Sequence, residues 1–159
     1  FNAYGPHQVS QFVISRFIHG VTLNKSPIVF GDGSQKRSYN FSTDTARGTA
    51  DTLLSNKTDS QILNLGNSNE PVTLIELANK IIQIAGKKDS LEVVIKNSFE
   101  DTDRDKKREI YQRYCDTSLA KSLINYQSLI SLDEGIKKIL EVNHYNSTWI
   151  SSEKEYLID

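Results

Sequence analysis

The sequence predicts a small mixed α/β domain, rich in helices, with short and scattered strands. Segments with apolar residues at helical spacing outnumber runs of β-branched or aromatic residues, and each of those runs is short. The 159 residues suit one domain with a real core. Four short strands do not make a self-sufficient sheet, so we expect this domain to complete another sheet.

The first half of the chain alternates helix and strand signals. Residues 10–23 carry one apolar helical stripe, and Ile28 to Phe30 form a strand that stops at the turn Gly31-Asp32-Gly33. The run "RSYNFS" is predicted to be extended. A helix then runs to about Leu54, with Ser42 or Thr43 as its cap and Asp44 in its first turn.

The second half has clearer helix boundaries. Residues 60–67 read as a strand into a glycine turn, and the next helix has a capping box of Thr73 and Glu76 and a stop at Gly86. A strand at 91–95, a charged loop at 98–113 and helices at 116–124 and from Ser131 follow, the last opening with a second capping box, Ser131 with Glu134. We assign residues 1–142 to the domain and 143–159 to a polar tail.

Composition argues against several classes of protein. A net charge of −1 offers no basic field to nucleic acid or to an anionic membrane, and no apolar run approaches membrane-spanning length. The single cysteine fits a reducing cytoplasm. The histidines and Cys115 share no metal-ligand spacing, so no metal is expected. The chain has no methionine and opens on "FNAYGP", which favours a cut inside a longer protein.

Five segments in order carry a family resemblance: "FNAYGPHQ", "FVISRFI", "PIVFGDGSQKRSYNFSTDTARG", "ILNLGNSNEPVTLIELANKI" and "RYCDTSLAKSLINYQSLISLDEGIKKIL". Together they resemble the C-terminal half of NAD-dependent nucleotide-sugar epimerases and dehydratases, of the extended short-chain dehydrogenase/reductase family. UDP-glucose 4-epimerase is the type of enzyme they resemble. The resemblance runs from Phe1 to about Leu140.

This resemblance implies that the catalytic residues lie elsewhere. The family's glycine-rich NAD turn and its Tyr-x-x-x-Lys pair do not occur here, so no catalytic or cofactor-binding residue is expected in this chain. The implied enzyme holds NAD in an N-terminal Rossmann domain, where hydride leaves sugar C4, and is a homodimer. This half would hold a nucleotide diphosphate-sugar, with UDP-sugars favoured, and would be inactive alone.

Arg37 is the first candidate ligand of the substrate. In the family, the arginine after the Gly-Asp-Gly turn binds the substrate diphosphate, and a guanidinium fork suits two phosphate oxygens. The alternative is a solvated surface arginine. The family usually has aspartate next, where this chain has Ser38, so a possible partner that orients the arginine is lost.

Asn2 and a second arginine complete the predicted diphosphate site. Asn2 resembles a family asparagine that contacts the diphosphate and sugar, although a turn asparagine that bonds locally is the alternative. Arg104, Arg108 and Arg113 compete for the second arginine, and Arg108 and Arg113 lie nearer the matched segment. A charged, solvated loop is the alternative for each of them.

Three further residues are candidates for the base and sugar pockets. Val29 and Phe30 resemble the strand that lines the base pocket, and Tyr39 stands where it can line the ribose or sugar. Plain core packing is the alternative for all three. The rival function for the whole chain is a non-catalytic nucleotide-binding or scaffold domain that kept the fold, and the missing acidic residues near Arg37 favour it.

Overall fold

The computed structural model describes residues 1–96 and 110–142, so the predicted tail lies outside the described residues. The described part has five α-helices and seven strands of two or three residues, which confirms the helix-rich mixed α/β prediction. The helices are α1 (Val13–Thr22), α2 (Ser42–Leu54), α3 (Leu74–Ile84), α4 (Ser118–Ile124) and α5 (Leu132–Glu141). The strands are β1 (Ala3–Tyr4), β2 (Ile28–Phe30), β3 (Lys36–Arg37), β4 (Asn40–Phe41), β5 (Val72–Thr73), β6 (Val94–Lys96) and β7 (Gln112–Arg113).

The strands form three small sheets. β1 pairs with β4 and β2 pairs with β6, both in parallel. In the third sheet β3 lies in the centre, antiparallel to β5 and parallel to β7. Strands this short gain little stability from pairing alone, so their positions depend on the helices packed around them.

The core lies between α1, α3 and α5 and the strands beside them. α3 packs against both α1 and α5, and its Leu77, Ala78 and Ile81 are fully buried. α1 contributes Phe17, Ile18 and Val21 from the predicted stripe, whereas Phe12, which precedes the helix, is exposed. None of the helices in the described residues is long and apolar enough to cross a membrane.

The predicted helix caps are right for α3 and wrong for α2. Thr73 accepts from the Glu76 backbone N–H while Glu76 accepts from that of Thr73, as the capping box requires. At α5 only half of the predicted capping box is present among the described residues: the Ser131 side chain accepts from the Glu134 backbone N–H. The residue before α2 is Phe41, which makes no side-chain cap, so neither Ser42 nor Thr43 caps that helix.

Two strand predictions need correction. Residues 61–65 form no strand in the described structure, because the described part of the chain offers them no paired neighbour. The predicted strand at 91–95 is observed as β6, shifted toward its end. The loop prediction for 98–113 is wrong at its last two residues, because Gln112 and Arg113 form β7 beside β3. That pairing determines the candidate site.

Candidate functional site

Arg37 and Arg113 are direct neighbours in the three-stranded sheet. Arg37 ends β3, Arg113 ends β7, and the two residues are register partners across the parallel pair. Register partners project from the same face of a sheet, with their Cβ atoms about 5 Å apart. Arg37 is half-buried and Arg113 is exposed. The pairing therefore places two guanidinium groups at one end of a small sheet.

Backbone carbonyl groups hold the Arg37 side chain. Its Nη1 donates to the carbonyl oxygen of Lys36 at 2.9 Å and to that of Tyr111 at 3.4 Å. The same Tyr111 carbonyl accepts from the backbone N–H of Lys36 at 2.6 Å, which ties β3 to the start of β7. The Lys36 and Tyr111 carbonyls thus both contact the Arg37 guanidinium.

The Asn2 side chain connects Arg113 in β7 to Ser38, the residue that follows β3. Its Nδ2 donates to the carbonyl oxygen of Ser38 at 2.8 Å, and its Oδ1 accepts from Arg113 Nη2 at 3.4 Å. Its backbone carbonyl accepts from the N–H of Asn40 at 3.2 Å. Asn2 has a φ of 42°, a left-handed conformation that asparagine tolerates better than most residues. Three of the predicted ligands, distant in sequence, therefore meet at one place.

Ser38 does not replace the missing aspartate as a partner for Arg37. Its side chain is fully buried, and its Oγ finds no hydrogen-bond partner among the described residues. It contributes only its backbone carbonyl, which receives the Asn2 amide. The Lys36 and Tyr111 carbonyls, and not the Ser38 side chain, are the bonds described above for Arg37.

Two neighbouring guanidinium groups have a general chemistry toward anions. Two adjacent guanidinium groups repel each other, and a bound anion between them relieves that repulsion. Each guanidinium can donate two parallel hydrogen bonds to a phosphate, which a lysine cannot do.

The residues predicted for the base and sugar pockets are buried. Val29 is 1% exposed and packs in the core beside Gly33. Tyr39 also lies in the core, edge-on to the Tyr4 ring with the centroids 6.3 Å apart. Phe30 is buried at the end of β2. The structure does not bring these three residues onto the exposed face with the arginines, and Arg104 and Arg108 lie outside the described residues.

Sequence reasoning did not predict that Asp44 connects α2 to the segment before α5. It is 2% exposed, and its Oδ2 accepts from the backbone N–H groups of Leu129 and Ile130 at 2.8 and 2.9 Å. Burial alone raises the pKa of Asp44, but these bonds and those from Arg47 and Ser128 outweigh it and lower the pKa. Asp44 thus ties α2 to the segment before α5.

Comparison with known proteins defines the class of this chain. The sequence model of the GDP-mannose 4,6 dehydratase family matches residues 1–139. The chain therefore belongs to this family of NAD-dependent nucleotide-sugar epimerases and dehydratases, which confirms the resemblance.

Individual relatives agree with this family. A UDP-glucuronate 4-epimerase of Thermodesulfobacterium geofontis is 30% identical over 97% of this chain and 44% of its own length. A dTDP-D-glucose 4,6-dehydratase of Bos taurus is 29% identical over 96% of this chain and 42% of its own length. The structure of UDP-glucuronic acid 4-epimerase from Bacillus cereus, in complex with UDP-glucuronic acid and NAD, matches with a TM-score of 0.73 and 25% identity over 89% of this chain and 42% of that one. The chain spans less than half the length of these relatives.

Proposed function

We propose that this chain is the substrate-recognition half of an NAD-dependent nucleotide-sugar epimerase or dehydratase, and that Arg37 and Arg113 hold the substrate diphosphate. The observation that supports this most directly is the register pairing of the two arginines on β3 and β7. Binding energy gained at the diphosphate would orient the sugar for chemistry that other residues perform. Arg113 is thus our choice for the second arginine.

A UDP-sugar is the proposed substrate class. The relatives of this chain include a UDP-glucuronate 4-epimerase, and similar solved structures contain UDP-glucuronic acid or UDP-glucose. A diphosphate has one phosphate for each guanidinium of the pair. The base and sugar pockets predicted at Phe30, Val29 and Tyr39 stay predictions, because their rings and methyl groups pack inward.

The described residues do not fit NAD. In a dinucleotide site a glycine-rich turn opens a helix whose first N–H groups hold the pyrophosphate. Here the turn with Gly31 and Gly33 leads into β3, and α1 begins after Phe12 without a glycine. We therefore assign NAD and the hydride transfer at sugar C4 to an N-terminal Rossmann half, and dimer formation to the full-length enzyme.

An exposed apolar face is the proposed contact with that half. Leu53, Leu54 and Ile62 are 85%, 83% and 93% exposed, far more than apolar side chains usually are in a folded monomeric protein. The backbone nitrogen of Phe1 donates to the Leu65 carbonyl at 2.9 Å, so residues preceding Phe1 would emerge beside segment 61–65. Segment 61–65 would then gain a strand partner.

The test is UDP binding and turnover in the full-length protein with Arg37→Ala. Loss of a charge-assisted contact of about 1.5–3 kcal/mol weakens UDP binding and raises KM by roughly 10- to 100-fold, with kcat less affected. Lys137→Ala removes a positive charge from the exposed surface of α5 and serves as the control.

Two results would contradict the proposal. Unchanged UDP affinity in Arg37→Ala would remove this residue from the site. Wild-type protein that binds no UDP-sugar at millimolar concentration would favour the rival scaffold function.

A further inference from the structure

We propose that Gly66 is a positioning residue, which sets the place where the chain from the N-terminal half enters this domain. This inference rests on the proposed function, because it assumes that the catalytic groups belong to that half. Gly66 itself contacts neither substrate nor cofactor in this role, and it acts through Phe1, the first residue of the sequence.

Gly66 lies where three segments of the chain meet. A Cβ at this position would overlap the Sγ atom of Cys115 and come within 3.2 Å of the Cβ atom of Phe1. Gly66 and Cys115 are both buried. The φ of Gly66 is not positive, so its backbone conformation suits any residue. Lack of space, and not backbone conformation, therefore requires glycine here.

Cys115 belongs to a segment that is held in place beside the glycine. Asn64 Nδ2 donates to the Asp116 carbonyl oxygen at 3.2 Å, and the hydroxyl groups of Ser68 and Thr117 lie 3.1 Å apart. These two bonds lie on either side of the glycine in sequence and directly after the cysteine. Cys115 is 4% exposed, and in a close-packed interior its Sγ atom has little room to move away.

Phe1 is the neighbour that has room to move. Its side chain is 45% exposed, and its backbone nitrogen donates to the Leu65 carbonyl oxygen at 2.9 Å. A methyl group on Gly66 would therefore displace Phe1 rather than Cys115. The chain that precedes Phe1 would be displaced with it.

Such a displacement affects catalysis more than ligand binding. In the proposed enzyme this half holds the substrate and the other half carries the reacting groups, and Phe1 connects the two. A misplacement of about 1 Å can cost about 100-fold in rate. The strands β3 and β7, which carry the proposed ligands, pair with each other within this domain. We therefore expect kcat to fall while the affinity for UDP is kept.

Kinetics and UDP titration of the full-length protein test this inference, with UDP-glucose and UDP-glucuronic acid as substrates. We expect Gly66→Ala to lower kcat about 10- to 100-fold and to change the Kd for UDP by less than about 2-fold. Gly20→Ala is the control, because a Cβ there would meet only the Lys25 carbonyl oxygen, at 3.6 Å, and kcat should not change. Unchanged kcat in Gly66→Ala, or an equal loss of kcat and of UDP affinity, would overturn the inference.

A second substitution separates displacement of Phe1 from a general folding defect. Cys115→Ala removes the Sγ atom that the new methyl group would overlap. Cys115→Ala alone should keep kcat near that of wild type, and Gly66→Ala combined with Cys115→Ala should recover most of kcat. A double variant as slow as Gly66→Ala, or a Gly66→Ala protein that circular dichroism shows to be unfolded, would overturn the inference. Failure of the proposed function looks different, because the wild-type protein would then bind no UDP and turn over neither sugar.

Discussion

At the scale of the residue, Asp44 shows how one buried carboxylate joins two parts of the chain. Its side chain accepts hydrogen bonds from two backbone N–H groups, from Ser128 and from Arg47. Asp44→Asn keeps the shape but loses the charge, and places an NH₂ group where an acceptor is needed. We expect the free energy of unfolding to fall by about 1–3 kcal/mol, measured by urea denaturation.

Asp51→Asn is the matched control for Asp44→Asn. Asp51 lies on the same helix and its carboxylate is 3.7 Å from the same Arg47, but its side chain is 43% exposed. An exposed pair of this kind contributes little, so the control should change stability by less than about 0.5 kcal/mol. Equal effects of the two substitutions would show that the backbone bonds to Asp44 do not matter.

The lowered pKa of Asp44 also predicts a pH dependence. A carboxyl whose pKa is lower in the folded state stabilises the protein at pH values above its ordinary pKa of 3.8. That stabilisation is lost as the pH falls from 3.8 through the lowered pKa of the folded state. Asp44→Asn should therefore show a weaker loss of stability than wild type over this acidic range, and parallel curves would contradict the assignment.

The residues of the candidate site could be named from the sequence, but their contacts could not. Arg37, Asn2 and Arg113 were predicted from segments that resemble the family. For each of them a role without a ligand was the alternative. Their meeting depends on the register between β3 and β7, and β7 lies where the sequence shows only charge. The Tyr111 carbonyl that orients Arg37 leaves no signal at all, because any residue has a carbonyl group.

At the scale of the element, the capping box of α3 offers a direct test. Glu76 accepts from the Thr73 backbone N–H at 2.7 Å, and Thr73 Oγ1 accepts from the Glu76 N–H at 3.1 Å. Thr73→Ala should lower the free energy of unfolding by about 1 kcal/mol. Thr49→Ala is the control, because the exposed Thr49 hydroxyl lies within α2 and bonds only to the preceding turn. A similar loss in both variants would argue against the cap.

Local sequence signals predicted an element well where its capping bonds and apolar stripe come from its own residues. The capping box and apolar stripe of α3 lie within a few residues of each other, so sequence reasoning found both. At α2 the expected cap failed because the helix already begins at Ser42, which leaves Phe41 at the capping position. Residues 61–65 have strand composition but need a partner that the described chain does not supply.

At the scale of the whole molecule, Gly135 lets α5 approach the first sheet. A Cβ at this position would overlap the Tyr4 hydroxyl and come within 2.8 Å of the Phe41 ring. Alanine is favoured over glycine in a helix by about 1 kcal/mol, but overpacking a core costs about 1–3 kcal/mol. We expect Gly135→Ala to be net destabilising, measured by thermal and urea unfolding.

Gly20→Ala is the control for Gly135→Ala. It lies within α1, and a Cβ there would meet only the Lys25 carbonyl oxygen, at an ordinary 3.6 Å. The helix-propensity gain should then appear alone, as an increase in stability of about 0.5–1 kcal/mol. Opposite signs for the two substitutions are the expected result, and a stabilised Gly135→Ala would show that α5 can move away from Tyr4.

The exposed apolar face leads to two different predictions, one for the full-length protein and one for the 159-residue chain. If Leu53 and Leu54 pack against an N-terminal half, Leu53→Lys with Leu54→Lys should destabilise the full-length protein by several kcal/mol, because two buried apolar side chains are lost. In the 159-residue chain the same face is open to solvent, so the same change should reduce self-association in sedimentation velocity. Leu129→Lys, at an exposed leucine before α5, controls for added charge. A full-length protein unaffected by the double substitution would show that this face stays exposed in the complete enzyme.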